Sequence, residues 1–150
     1  MVDVGKPAPD FTLLGEGNKD VSLADYKGQN LVLFFFPKAF TGTCERQVSE
    51  HAAHIDDFAA LNARVVGVST DQMPSLLKFA EHCEAAGKVT LLSDFRHRAI
   101  QTYGIAVETG PTPNQRAVFI IDAEGILRYA QVGQYEGVAP ELELLRGLQK

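Results

Sequence analysis

Leu31-Val32-Leu33-Phe34-Phe35-Phe36-Pro37 is the stretch that decides the fold. Six apolar residues follow one another without a polar break, and aromatic and β-branched types dominate. That is the pattern of a strand buried on both faces, and not of a half-exposed strand that alternates. Pro37 stops it, because proline has no N–H to give to a sheet ladder. Upstream, Phe11–Leu14 and Val21–Leu23 read as short extended pieces around the turn Gly15-Glu16-Gly17-Asn18. That turn lacks the Lys-Ser/Thr of a phosphate loop. Downstream, Val48, Ala52, Ile55, Phe58, Ala59 and Leu61 recur at spacings of three and four, which predicts an amphipathic helix.

Beyond the helix, Arg64–Ser69 reads as a second buried strand. A second helix is expected from Pro74 to Ala85, with Asp71 and Pro74 as entry signals. Thr90–Ser93 is short and extended, and Arg98–Tyr103 is a brief helix. Ala117–Asp122 is a third buried strand, turned by Ala123-Glu124-Gly125 into Ile126–Val132 as a hairpin. The tail from Val138 carries leucines at 142, 144, 145 and 148 and is expected to be helical. Strands alternating with helices predict an α/β protein, and the late hairpin makes its sheet mixed. The candidate is a thioredoxin-like sandwich, a central mixed sheet flanked by helices, with residues 1–150 as one domain.

Composition agrees. The chain has 150 residues, 45% of them apolar and 22% charged. Those values exclude disorder, collagen and a disulfide-dense mini-protein. The net charge of −5 argues against a nucleic-acid binder, which needs clustered cations. No apolar run approaches the roughly 20 residues of a membrane span. No basic stretch followed by an apolar core marks the start as a secretory signal, so a cytoplasmic setting is expected. There the two cysteines are expected to be free, catalytic or redox-active.

Chemistry is concentrated in Phe36-Pro37-Lys38-Ala39-Phe40-Thr41-Gly42-Thr43-Cys44-Glu45-Arg46-Gln47. The segment starts at the end of a buried strand, where sites in open α/β sheets form. It ends where the first long helix begins. Cys44 therefore falls in a helical first turn, where free N–H groups and the macrodipole favour a thiolate. Gly42 is a candidate for φ > 0 or for close approach to a ligand. Thr41 and Thr43 offer short hydroxyls.

The pattern Pro37-x-x-x-Thr41-x-x-Cys44 resembles the peroxiredoxins, the thiol peroxidases. The likeness continues in Val4-Gly5 with Ala8-Pro9-Asp10-Phe11, in Leu91-Leu92-Ser93-Asp94, and in Arg116 to Asp122 with Gly125. The Pro-Lys-Ala-Phe-Thr-Gly wording is most similar to the bacterioferritin-comigratory (PrxQ) and AhpE-like groups. The resemblance implies that Cys44 attacks hydrogen peroxide or an organic hydroperoxide and becomes a sulfenic acid. It implies that Thr41 and Arg116 organise the peroxide oxygens and that Pro37 shields the sulfenate. One departure is Gln47, where the family often has Glu; an amide can hold a guanidinium only by a neutral hydrogen bond.

The resemblance also makes Cys83, the only other thiol, the candidate resolving residue, closing an intramolecular disulfide that thioredoxin or a similar thiol reductant reopens. His82 and Glu84 beside it suggest partial exposure. The alternatives are a one-cysteine peroxidase resolved by an external thiol and a non-enzymatic redox sensor. A binding module on the same scaffold would stay active without Cys44. A disulfide reductase needs a second cysteine where Gln47 stands. The resemblance is compatible with a monomer or a homodimer, and neither a cofactor nor a metal is called for. His51, about 10 Å along the helix from Cys44, is too far to be its base. His51, His54, Asp56-Asp57 and Glu141 to Glu143 read as solvated side chains.

Overall fold

The computed structural model describes residues 2–149. The decisive apolar run forms β3 (Asn30–Phe35), and every residue in it is buried. Side chains alternate along a strand. Val32, Phe34 and Phe36 therefore enter one core, and Leu31, Leu33 and Phe35 enter another on the opposite face. β4 (Ala63–Ser69) pairs parallel with β3, and β6 (Ala117–Ile121) pairs antiparallel on its other side. β5 (Thr90–Ser93) extends the sheet beyond β4, and β7 (Leu127–Val132) is the hairpin partner of β6. The short β1 (Thr12–Leu14) and β2 (Asp20–Ser22) complete one edge. Among the described residues the order is β2-β1-β5-β4-β3-β6-β7, a mixed seven-stranded sheet.

The first core lies under α1 (Gly42–Ala53), α2 (Ile55–Ala59), α3 (Met73–His82) and α5 (Ala139–Leu148). The second lies under the N-terminal segment and α4 (Ala99–Thr102). Helices on both sides explain why the central strands carry no polar alternation. Gly67 in β4 is a packing requirement: a Cβ there would come within 2.6 Å of the Phe34 ring and 2.8 Å of Leu91. The arrangement is the expected thioredoxin-like sandwich.

Helix boundaries differ by more than a residue in two places. The amphipathic run expected to reach Leu61 is α1 plus α2, with one irregular residue, His54, between them (φ −105°, ψ 16°). Helical bonding runs through it, from His54 N–H to Glu50 O and from Phe58 N–H to His54 O, so the apolar period survives. α3 ends at His82, with Cys83 as its cap and Glu84 at φ 56° turning the chain away.

Candidate active site

The segment after β3 is pinned before it becomes helix. Phe36 N–H donates to Val68 O at 3.0 Å, which continues the sheet by one residue. Pro37 is half-buried and ends that pairing. Ala39 N–H then donates to the Asp71 carboxylate at 2.8 Å. The left-handed residue is Phe40, at φ 64°, and not Gly42. Thr41 is extended (φ −109°, ψ 151°) and caps α1, with its carbonyl accepting from Glu45 N–H at 2.8 Å. Its hydroxyl donates to Lys38 O at 2.9 Å, so the Thr41 oxygen is left as an acceptor. Cys44 sits in the first turn, 0% exposed, where the leading amides have no carbonyl within the helix.

Arg116 reaches this turn for a topological reason. β6 runs antiparallel to β3 with Phe35 opposite Ala117, so the start of β6 lies beside the end of β3. Arg116 immediately precedes that start, and its carbonyl accepts from Gly133 N–H at 2.8 Å. Its Nη2 donates to Cys44 Sγ at 3.3 Å and its Nη1 to Gln47 Oε1 at 2.8 Å. The guanidinium fork is thus held at both tips, as one planar group can be. Gln47 is fully buried, and its Nε2 has no partner among the described residues. Because the amide is neutral, the guanidinium charge beside the sulfur is not cancelled by its support. An open cleft of about 600 Å³ leads to this point, lined by Thr43, Arg46, Arg116, Gly133, Gln134 and Tyr135. The guanidinium of Arg46 lies over the Tyr135 ring, 5.2 Å from its centroid.

Cys83 differs from the expectation of partial exposure. It is 5% exposed and belongs to the first core, because the polar residues flanking it in sequence point elsewhere. His82 turns out to Glu45 on α1, Nε2 to Oε1 3.0 Å. Burial pushes the Cys83 thiol up, and a hydrogen bond with Ser49 of α1 offsets part of that. Cys83 therefore faces the same helix that Cys44 begins. Both cysteines are free.

Two further groupings escaped the sequence reading. Asp71, in sequence a helix entry signal, ties three strand ends together. Its carboxylate accepts from Ala39 N–H and from Ser69 Oγ, each at 2.8 Å, while its carbonyl accepts from Ser93 Oγ at 2.6 Å. A serine two residues before an aspartate, just past a strand, was the available signal. His51 and Glu141, read as solvated, are instead buried at 0% and 2% and bonded to each other at 2.7 Å. A histidine and a carboxylate can enter a core when they satisfy one another, and 90 residues of sequence separate this pair. His54 keeps its surface place, bonded to Asp57 at 2.9 Å. Among the described residues, no three His, Cys, Asp or Glu side chains cluster as metal ligands, and no helix is long and apolar enough to cross a membrane.

The AhpC/TSA family model matches residues 4–130. Peroxiredoxin-2 of Cricetulus griseus is 36% identical over 137 residues, which span 86% of this chain and 69% of that protein. Alkyl hydroperoxide reductase E of Mycobacterium bovis is 35% identical over 137 residues, 89% of this chain and 88% of that one. In fold, the crystal structure of peroxidoxin BcpB from Mycobacterium tuberculosis is similar with a TM-score of 0.90 at 24% identity, covering 100% of both chains.

Proposed function

The chain belongs to the AhpC/TSA family of thiol peroxidases, and on that premise we propose that Cys44 is the nucleophile that reduces hydrogen peroxide and organic hydroperoxides. The observation that carries this reading is the Arg116 guanidinium, 3.3 Å from a cysteine sulfur in a helical first turn. The thiolate attacks the terminal oxygen of the peroxide. An S–O bond forms as the O–O bond breaks, and the electron pair leaves on the other oxygen, which takes a proton and departs as water or alcohol. Sulfur is oxidised to a sulfenic acid. Arg116 favours the anionic sulfur and then the charge growing on the leaving oxygen. Thr41, its hydrogen committed to Lys38, accepts from the peroxide O–H. Pro37 covers the sulfenic acid.

Resolution is assigned to Cys83. Its thiolate attacks the Cys44 sulfenic sulfur, hydroxide leaves and is protonated to water, and an intramolecular disulfide forms. A thioredoxin-type dithiol, or a similar thiol reductant, then supplies two electrons and restores both cysteines. The burial of Cys83 favours the second reading, in which an external thiol attacks the sulfenic acid directly. A reducing cytoplasm suits either cycle, with the chain as monomer or homodimer.

The chain has no tryptophan. Oxidation is therefore best followed by competition with a haem peroxidase or by peroxide loss. Cys44→Ser should abolish consumption, and equal consumption by both proteins would refute the assignment. One equivalent of peroxide followed by non-reducing peptide mapping separates the two resolution routes. A Cys44–Cys83 disulfide supports the first, and a persistent sulfenic acid with Cys83 free supports the second.

A further inference from the structure

α1 carries a second polar centre, two turns below Cys44, that the chemistry above does not use. The His51 imidazole lies between the Phe34 and Phe58 rings, with centroids 4.5 and 5.6 Å away and planes within 19° and 15° of its own. Its Nδ1 is 2.7 Å from the Gln47 carbonyl oxygen, and its Nε2 is 2.7 Å from Glu141 Oε1 on α5. A carbonyl has no hydrogen, so Nδ1 is the donor in the first contact. The second contact also contains one hydrogen. Wherever that proton sits, the pair holds two protons and is neutral as a unit.

Burying such a pair is not in itself stabilising. Apolar replacements of similar volume are often as stable or more so. Gln47 suggests what the pair is for. Its carbonyl receives the His51 proton, while its side-chain oxygen holds Arg116 at 2.8 Å. Arg116 in turn donates to Cys44. An unbroken line of contacts therefore runs from Glu141 through His51, Gln47 and Arg116 to the sulfur. Tyr135 and Arg46 connect the pair to the cleft wall. The Tyr135 ring is 6.0 Å from His51, its hydroxyl donates to Glu50, and Arg46 covers it. Tyr129 is pushed up chiefly by burial.

We propose that His51 is a positioning residue for peroxide reduction: its Nδ1–H holds the helical turn from which Gln47 steadies Arg116 against Cys44. Glu141 serves by pairing with Nε2, which fixes the ring orientation that aims Nδ1–H at the Gln47 carbonyl. The inference rests on the roles given to Cys44 and Arg116 above.

The test is the rate of Cys44 oxidation by hydrogen peroxide, measured by competition in four variants. In Glu141→Gln the amide N–H donates to Nε2 and the Nδ1–H stays on Gln47 O. A loss of about two- to threefold is expected there, since a neutral bond is weaker than a charge-assisted one. The replacement His51→Leu with Glu141→Leu should still melt cooperatively, yet oxidise at least about tenfold more slowly. In a Gln47→Ala background the same replacement should cost nothing further, because residues acting through one another are not additive. A purely structural pair would show the same effect in both backgrounds, and that result overturns the proposal. So does an unchanged rate in the apolar replacement, or a loss above about tenfold in Glu141→Gln. If the leucine pair does not fold, His51→Phe with Glu141→Leu takes its place and fills the slot between Phe34 and Phe58. Cys44→Ser, run alongside, isolates the premise: if it consumes peroxide like the wild type, the site assignment fails first.

Discussion

Removing the Arg116 side chain is the sharpest perturbation of the site. At 3.3 Å from Sγ, a full positive charge acting on a thiolate is worth about 5 kcal/mol at an effective dielectric of 20, and about 1 kcal/mol in bulk water. The site lies between these limits, because the sulfur is buried while the guanidinium is half-buried and borders the cleft. Loss of one oxyanion donor in other enzymes costs about 3 kcal/mol, which falls inside that range and corresponds to a rate loss of roughly a hundredfold. Arg116→Ala should therefore oxidise about a hundredfold more slowly. Arg116→Lys should fall between, by about tenfold, because an ammonium cannot hold both Sγ and Gln47 Oε1 as a fork does. Competition with a haem peroxidase reads both rates. Arg116→Ala also leaves Gln47 Oε1 buried without its donor, at about 1–3 kcal/mol of stability, so the assay belongs well below the melting transition. A rate within threefold of wild type would refute the role of the guanidinium.

Two further predictions follow from supporting contacts. Asp71→Ala should remove the acceptor for Ala39 N–H and loosen the segment leading to Thr41, with about 1–2 kcal/mol lost in a denaturant melt and a several-fold slower oxidation; Asp71→Asn, whose amide oxygen can still accept, should recover most of both. Asp122 at the β6–β7 turn is raised by burial, but Arg128 and the amides of Ile126 and Glu124 more than offset this and hold its carboxyl below the usual range. A lowered folded-state value means that its stabilisation is complete above the ordinary carboxylate range and fades as pH falls through the lowered value. Asp122→Asn should therefore narrow the stability gap to wild type progressively as melts are taken from neutral pH into acid, and a gap independent of pH would count against it.

The central strands were readable because a strand buried on both faces leaves a run that little else produces. Leu31–Phe36 and Ala117–Asp122 are read from such runs, and each lies within a residue of its strand, Asn30–Phe35 and Ala117–Ile121. The place of Cys44 in a helical first turn was readable for a local reason: strand end, proline, threonine and helix start lie within a dozen residues. The placement of Arg116 beside the sulfur needed the antiparallel pairing of β3 with β6, which periodicity does not encode. His51 and Glu141 were misread because residue type alone assigns both to water. Only the meeting of α1 with α5 makes them partners. Cys83 was misread by the same habit, since its polar neighbours in sequence face away from it. Asp71 was half legible, its turn-forming tendency visible but its hold on Ala39 a matter of tertiary contact.

The pairing of Phe35 with Ala117 has a consequence for which changes in chain length the site can tolerate. Side chains alternate faces along a strand, so a slip of one residue between β3 and β6 would carry the Arg116 guanidinium to the opposite side of the sheet. Inserting or deleting a residue within β6 thus removes the cation from the sulfur even where the strand still forms. The exposed stretch 108–111 is under no such constraint, because the bridge between Ala106 and Asn114 and the bond from Gln115 N–H to Ile105 O close the loop behind it. Length variation can therefore accumulate a few residues before Arg116 without moving it, while a single-residue frame shift a few residues after it disarms the enzyme.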